Sequence, residues 1–177
     1  MAILIASSTE DPASTNIKKE LLEKSRWEEI NVMFNNPVFR NKIIKNVIIV
    51  TINDRTIKHE NLDREIEEKL DVKLKQVIYI SRHTSKTGKP TLSTHPIGNY
   101  SEAAFGGKEK TLVKTSPKLM TQLLINLKRN AKKAGLKHQV CFEVTHHGPF
   151  LRTPTLFTEI GSTEEEWRKN FSRNENG

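Results

Sequence analysis

The chain has 177 residues, a formal net charge of +8 and one cysteine, Cys141. That length supports one domain with its own hydrophobic core. A lone cysteine excludes an intramolecular disulfide and a cysteine-rich zinc site, and it fits a reducing compartment.

In chain order, AILIAS (2–7) reads as a buried opening strand. STNIKKELLEK (14–24) reads as a helix with Ser14 or Thr15 as its cap and Ile17, Leu21 and Leu22 on one face. EEINVMF (28–34) is a short strand and NVIIVTIND (46–54) a strongly β-branched one. ENLDREIEEKL (60–70) places Leu62, Ile66 and Leu70 at helical spacing. KLKQVIYISR (73–82) is the next strand, and a polar loop follows it. SPKLMTQLLINLKRNAKKAG (116–135) is the clearest helix. Ser116 caps it, Pro117 takes the first position, Gly135 ends it, and Leu119, Leu123, Leu127 and Ala131 form its core stripe. KHQVCFEVTHHG (137–148) reads as a strand stopped by Gly148-Pro149. LFTEIGS (156–162) is a last strand, and Ser162 with Glu165 forms a capping box opening TEEEWRKNFSR (163–173). Strands alternating with helices predict a single α/β domain over 1–177 with a mixed, mostly parallel sheet flanked by helices.

No apolar run approaches the roughly 20 residues of a membrane span. The opening MAILIASSTEDPAS lacks the basic stretch of a secretory signal. The expectation is a soluble, cytoplasmic monomer with no membrane and no protein partner. The excess of lysine and arginine favours contact with phosphate backbones through counterion release. A generally basic surface explains the charge equally well, since no RNP motif, zinc finger or basic zipper accompanies it.

Chemistry concentrates where strands end, as expected in open α/β sheets. His83 follows the strand ending at Arg82, His95 sits in the polar loop, His146 and His147 close a strand, and Glu159 lies near the end of LFTEI. Each histidine alone could be an ordinary solvated side chain; their convergence is the signal. Glu143 and His147 lie four residues apart, about 13 Å on an extended strand, too far to share one metal. Glu143 is therefore expected as a supporting or catalytic acid. His59 and His138 read as surface residues without a role. FGGKEK (105–110) offers backbone N–H groups at Gly106 and Gly107 to an oxyanion or phosphate, although a glycine pair is usually only a turn. No P-loop, GxGxxG, GxSxG or HExxH is present. What remains is hydrolysis without a covalent nucleophile, by a histidine base or by histidine-bound zinc.

The stretches SRHTSKTGKPTLSTHPIGNYSEAAFGG, FEVTHHGP and FTEIGSTEEEW, with the opening SSTEDPASTNIK, resemble the D-aminoacyl-tRNA deacylases of the archaeal and plant type. The resemblance runs from Ile3 to Trp167. It implies a fold similar to peptidyl-tRNA hydrolase and nucleoside phosphorylases, hydrolysis of the ester of D-aminoacyl-tRNA, and zinc. The family's motif falls on Ser81, Arg82, His83, His95, Gly98, Asn99, Gly106, Gly107, Glu143, Thr145, His146, His147, Gly148, Pro149 and Glu159. Catalytic candidates are His83, His95, Asn99, Glu143, His146 and His147. Zinc candidates are His83, His95, His146, His147 and Glu159. Ser81, Arg82, Gly106, Gly107, Lys108 and Lys110 are the candidates for binding substrate. The oxyanion is expected at the Gly106–Gly107 amides or Asn99. Phosphates are expected at Lys108, Lys110 and Lys114 or at Lys128, Arg129, Lys132 and Lys133. Relatives run some sixty residues further, so a missing C-terminal segment is expected. The alternatives are a peptidyl-tRNA hydrolase-like esterase and a non-catalytic RNA-binding module.

Overall fold

β-Branched residues suit a pleated surface packed on both faces, and the runs richest in them form the middle of the sheet. The computed structural model describes residues 1–32 and 34–169. Its strands are β1 (Ala2–Ser8), β2 (Trp27–Ile30), β3 (Val38–Asn41), β4 (Val47–Ile52), β5 (Leu74–Arg82), β6 (Thr91–His95), β7 (Gly98–Asn99), β8 (Thr111–Leu112), β9 (Gln139–Phe142) and β10 (Thr155–Gly161). Its helices are α1 (Pro12–Lys24), α2 (Leu62–Leu70), α3 (Pro117–Lys133) and α4 (Glu164–Arg168), with a 3-10 turn at Thr56–Lys58.

Eight strands form one sheet in the order β2-β3-β4-β1-β5-β10-β6-β9, and β7 pairs with β8 apart from it. β1 runs parallel to β4 and β5, β5 to β10, and β6 to β9. The β2–β3, β3–β4 and β6–β10 pairs are antiparallel. The expected mixed, mostly parallel α/β sheet is the fold observed. Its core is continuous from Leu4 and Val50 through Val77 and Tyr79 to Phe157. No helix among the described residues is long and apolar enough to cross a membrane.

Several local expectations are corrected. The cap of α1 is Asp11, whose Oδ1 accepts from Ser14 N at 3.0 Å; a Pro at the first helical position leaves the preceding residue as the natural cap. Ser116 does cap α3, accepting from Leu119 N at 3.3 Å. At α4 the cap position is Thr163, and Ser162 instead donates to Lys89 O at 2.7 Å, so the capping box does not form. The expected helix beyond 169 and Met33 of the expected second strand lie outside the described residues. The α3 stripe is only partly core: Met120 and Ala131 are buried, while Leu119, Leu123 and Leu127 are half-buried.

The largest difference concerns the polar loop. Its residues 91–95 are β6, an interior strand held between β10 and β9. Thr91, Ser93, Thr94 and His95 are all buried. Threonine has strand propensity but no hydropathy to announce it, and Thr94 is satisfied by donating to Phe157 O at 2.7 Å. β9 is shorter than expected. It stops at Phe142, and the chain turns so that His146 forms an isolated bridge with Ile97.

Candidate active site

Sheet register places the first components. Residues opposite one another on paired strands share a face. Glu159 on β10 lies opposite Ser81 on β5 and Ser93 on β6, while Phe157 lies opposite Tyr79 and His95. One face of three adjacent strands thus carries Tyr79, Phe157, His95 and Glu159. Tyr79 stacks on Phe157 with ring centroids 4.7 Å apart, and His95 stacks on the same phenylalanine at 5.4 Å. This aromatic floor seats the His95 ring, which is fully buried.

His146 and His147 arrive from the turn after β9. His146 stacks on His95 at 4.2 Å, and His147 stands edge-on to His95 at 5.0 Å and to His146 at 4.5 Å. Each of the three rings gives its Nδ1–H to a backbone carbonyl. His95 donates to Pro96 O at 2.9 Å, His146 to Val144 O at 2.7 Å and His147 to Gly148 O at 2.6 Å. Such bonds orient each ring and leave Nε2 as the nitrogen that a metal would take in the unprotonated ring, the arrangement found behind metal-bound histidines. Ligand nitrogens of these three residues lie within 4.8 Å of one another, close enough to hold a metal ion.

A second group adjoins it. His83 Nδ1 lies 3.1 Å from Glu143 Oε1 and 3.5 Å from Glu159 Oε2. His83, Glu143 and Glu159 form another trio able to hold a metal. Glu159 links the two groups, with Oε1 3.7 Å from His95 Nε2. That separation is too long for a hydrogen bond and acts through charge. Glu143 and His147 fall in different trios, but not through the spacing of an extended strand, because β9 ends at Phe142, before either residue.

These contacts set the charges. Glu143 and then Glu159 raise the His83 pKa to about 10 against the cost of burial. Burial and the neighbouring His95 charge push His147 down to about 4. Burial alone would raise Glu159, but the His83 and His95 rings outweigh it and hold the carboxyl at about 2. Near neutral pH the site therefore pairs an imidazolium at His83 with a neutral imidazole at His147.

His83, Glu143, His146, His147 and Glu159 line a cleft of about 710 Å³, with His95 buried behind them, and Ser81, Arg82, Phe105, Arg55, Glu10 and Asp11 complete its wall. Asp11 ties the wall together: its Oδ2 accepts from Ser81 Oγ and Arg82 N, both at 3.0 Å. Ser81 is thus spent on Asp11, and the Arg82 guanidinium lies over the Trp167 ring at 5.4 Å.

Two of the expected oxyanion donors, Gly107 N and the Asn99 side chain, are engaged elsewhere. Gly107 N donates to Glu60 Oε1 at 2.7 Å. Asn99 is buried and its Nδ2 donates to Gly106 O at 2.9 Å and Lys108 O at 3.2 Å. They hold a loop in shape. Gly106 is needed there, because its φ is +81° and a Cβ would run into the Ile57 carbonyl. Lys108 and Lys110 are exposed on that loop, with Lys108 Nζ 4.0 Å from the Phe150 ring centroid. His138 is not a surface residue: its side chain is 2% exposed and Nε2 lies 2.8 Å from Glu166 Oε2. His59 is half-buried between Asp54 and Glu65.

Asp11, Glu60, Arg55 and Phe105 were not singled out by the sequence. Asp-Pro ahead of a helix could have marked Asp11 as the cap. Nothing in the sequence marks Glu60, whose carboxylate joins Gly107 N to Phe150 N at 2.7 Å each, across segments 47 and 90 residues away.

A model of the D-aminoacyl-tRNA deacylase family matches residues 70–174. The chain belongs to the D-aminoacyl-tRNA deacylase family. The match takes in both trios, from His83 to Glu159. The chain is 39% identical over 166 residues to a D-aminoacyl-tRNA deacylase of Pyrococcus abyssi, covering 93% of this chain and 59% of that protein. It is 37% identical over 171 residues to the one of Methanosarcina acetivorans, covering 94% and 57%. The chain thus spans somewhat under two thirds of the length of these deacylases. A crystallised conserved protein of unknown function superposes with a TM-score of 0.85 at 31% identity, over 95% of this chain and 57% of that one. The Campylobacter jejuni 5′-methylthioadenosine/S-adenosyl homocysteine nucleosidase superposes with a TM-score of 0.56 at 13% identity, over 97% and 90%. That second likeness shows a shared fold alone.

Proposed function

We propose that this chain hydrolyses the ester joining a D-amino acid to the 3′-terminal ribose of tRNA, releasing free D-amino acid and tRNA in the cytoplasm. The observation that carries the reading is the pairing of two adjoining trios, His95–His146–His147 and His83–Glu143–Glu159, which present every member but the buried His95 to one open cleft of a chain belonging to this family.

His147 takes a proton from the attacking water, because its Nδ1–H is committed to Gly148 O and its other nitrogen is unprotonated at neutral pH. The water oxygen bonds to the ester carbonyl carbon. The carbonyl oxygen gains negative charge, which the His83 imidazolium stabilises. Glu143 and Glu159 keep that imidazolium charged and oriented. Collapse of the tetrahedral adduct breaks the bond to the ribose oxygen, which leaves with the proton held on His147.

Zinc fits the three-histidine trio in donor chemistry. Zinc takes imidazole nitrogens as ligands, and these three residues offer one each within 4.8 Å of one another. Bound there by His95, His146 and His147, it would lower the pKa of a bound water and polarise the carbonyl. His147 would then serve as a ligand, and the proton would fall to Glu143 or Glu159.

The test is deacylation of matched D- and L-aminoacyl-tRNA, together with N-blocked peptidyl-tRNA. Selective release from the D-ester supports the reading. Equal turnover of both enantiomers contradicts it, and cleavage of the blocked substrate alone would assign a peptidyl-tRNA hydrolase-like activity. RNA binding without turnover of any ester would assign a binding module. Elemental analysis of protein purified without chelator decides the metal. Bound zinc with chelator-sensitive activity, with the zinc lost in His147→Ala and kept in His83→Ala, makes His147 a ligand; metal-free, chelator-resistant activity leaves it as the base.

A further inference from the structure

A phenylalanine ring removes much apolar surface from water when it is buried. Phe105 is nevertheless 65% exposed, at the wall of the cleft. Its backbone is held firmly in place. The Phe105 carbonyl accepts from Gly148 N at 3.1 Å. The next two residues are pinned by Asn99 Nδ2 to Gly106 O at 2.9 Å and by Gly107 N to Glu60 Oε1 at 2.7 Å. The ring therefore stands in water on a loop that has little freedom to fold it away. The bond to Gly148 carries it within one residue of His147. The same cleft is lined by Arg55, which makes no ion pair among the described residues.

An exposed aromatic ring on an anchored backbone, sharing a cleft with an arginine that has no ion pair among the described residues, is a combination that binds single-stranded nucleic acid. Bases stack on the ring and the cation follows the phosphates. The end of a tRNA that carries the amino acid is single-stranded and always finishes in adenosine. A rigid platform therefore suffices, with no need to discriminate among bases. We propose that Phe105 is the stacking platform for this terminal adenine, and that Arg55 takes a phosphate of the same strand. Stacking there seats the acylated ribose over the histidines. The proposal rests on the reading that the ester lies on the ribose of tRNA.

The experiment compares the wild-type chain with Phe105→Ala, Phe105→Leu and Phe105→Tyr. Substrates are D-tyrosyl- and D-alanyl-tRNA, each made with the normal 3′-adenosine and with a base-less 3′-ribose. Phe105→Ala is expected to raise KM about tenfold with kcat little changed, Phe105→Tyr to restore it, and Phe105→Leu to fall short. On the base-less substrates Phe105→Ala should add nothing to the loss already suffered by the wild type. The idea is overturned if leucine serves as well as tyrosine. It is equally overturned if alanine still costs tenfold without the base, or if the loss appears with the D-tyrosyl ester and not the D-alanyl one. That last outcome would assign the ring to the amino-acid side chain. Binding of a fluorescent uncharged RNA hairpin ending in CCA separates this idea from the catalytic one. Without any turnover, a roughly tenfold weaker Kd for Phe105→Ala upholds the platform, and an unchanged Kd removes it. Equal melting temperatures confirm that the exposed substitutions leave the fold intact.

Discussion

At the scale of single residues, carboxylates outweigh the cost of burying His83 and His59, whereas burial prevails at His147. His83 faces Glu143 and Glu159, and His59 bridges two acids. His59 is the clearest to test, because it stands apart from both trios. Its Nδ1 lies 2.8 Å from Asp54 and its Nε2 2.9 Å from Glu65. Burial opposes a charge on the ring, but the two acids outweigh it, so the pKa is raised. Below about pH 6.5 the ring is protonated in folded and unfolded chains alike, and the full stabilisation is present. As the pH rises the unfolded ring gives up its proton first, and the gain is lost through the raised folded pKa. We predict that wild type exceeds His59→Gln by about 1 kcal/mol or less near pH 6, since the site is half-exposed. The gap should close toward pH 9 in urea unfolding at several pH values. A gap that widens with pH would show that the ring is not held as imidazolium.

At the scale of elements, the loop 105–108 is the part of the site most dependent on backbone geometry. Gly106, at φ +81°, has the Ile57 carbonyl where a Cβ would go, whereas Gly135 after α3, at φ +64°, has nothing within 4 Å. Gly135→Ala should therefore cost about 1–2 kcal/mol, the left-handed penalty alone. Gly106→Ala should cost more and should weaken activity, by shifting Phe105 and the hydrogen bonds to Asn99 and Glu60. Thermal melts and KM measured on both variants decide it; equal costs would mean the loop yields freely. This loop also shows where sequence reading succeeds and where it stops. Its glycine pair was legible, but its donors were assigned outward to a ligand, and only the fold turns Gly107 N–H inward to Glu60. The β-branched runs at β4 and β5 and the Ser116 cap of α3 could be read directly, because local chemistry dictates them. β6 could not, because Thr-Leu-Ser-Thr-His is buried by its neighbours rather than by its own hydropathy. The four site histidines could be chosen from their clustering in sequence. Their division into two trios depends on the β6–β10 register and the turn after Phe142, neither of which has a local signal.

At the scale of the whole molecule, basic side chains gather at two ends of the sheet, besides Lys128, Arg129, Lys132 and Lys133, exposed along the end of α3. One is the site, with Arg55 and Arg82 in the cleft and Lys108 and Lys110 on the adjoining loop. The other is an open groove of about 970 Å³ at the amino ends of β1, β4 and β5, where Arg40, Lys42, Lys45 and Lys73 gather. β1 spans 7 residues, so the two lie at least about 20 Å apart. A substrate whose acyl end enters the cleft brings its nearest phosphates to the loop. RNA laid across the groove would instead leave its ester far from the histidines. Removing one lysine–phosphate pair should weaken binding and flatten the log–log salt dependence by roughly one unit or less. We predict that Lys108→Ala with Lys110→Ala raises the Kd for tRNA and reduces that slope by about one to two units, leaving turnover at saturating substrate nearly unchanged. Lys108 also covers the Phe150 ring, so Lys108→Met, which keeps the stem, separates charge from packing. Arg40→Ala with Lys45→Ala should leave both Kd and slope as they were. Binding titrations from low to moderate salt on the two double variants settle the matter. If the second pair carries the salt dependence and the first does not, the RNA approaches across the amino ends of the strands, and the loop is no part of its path.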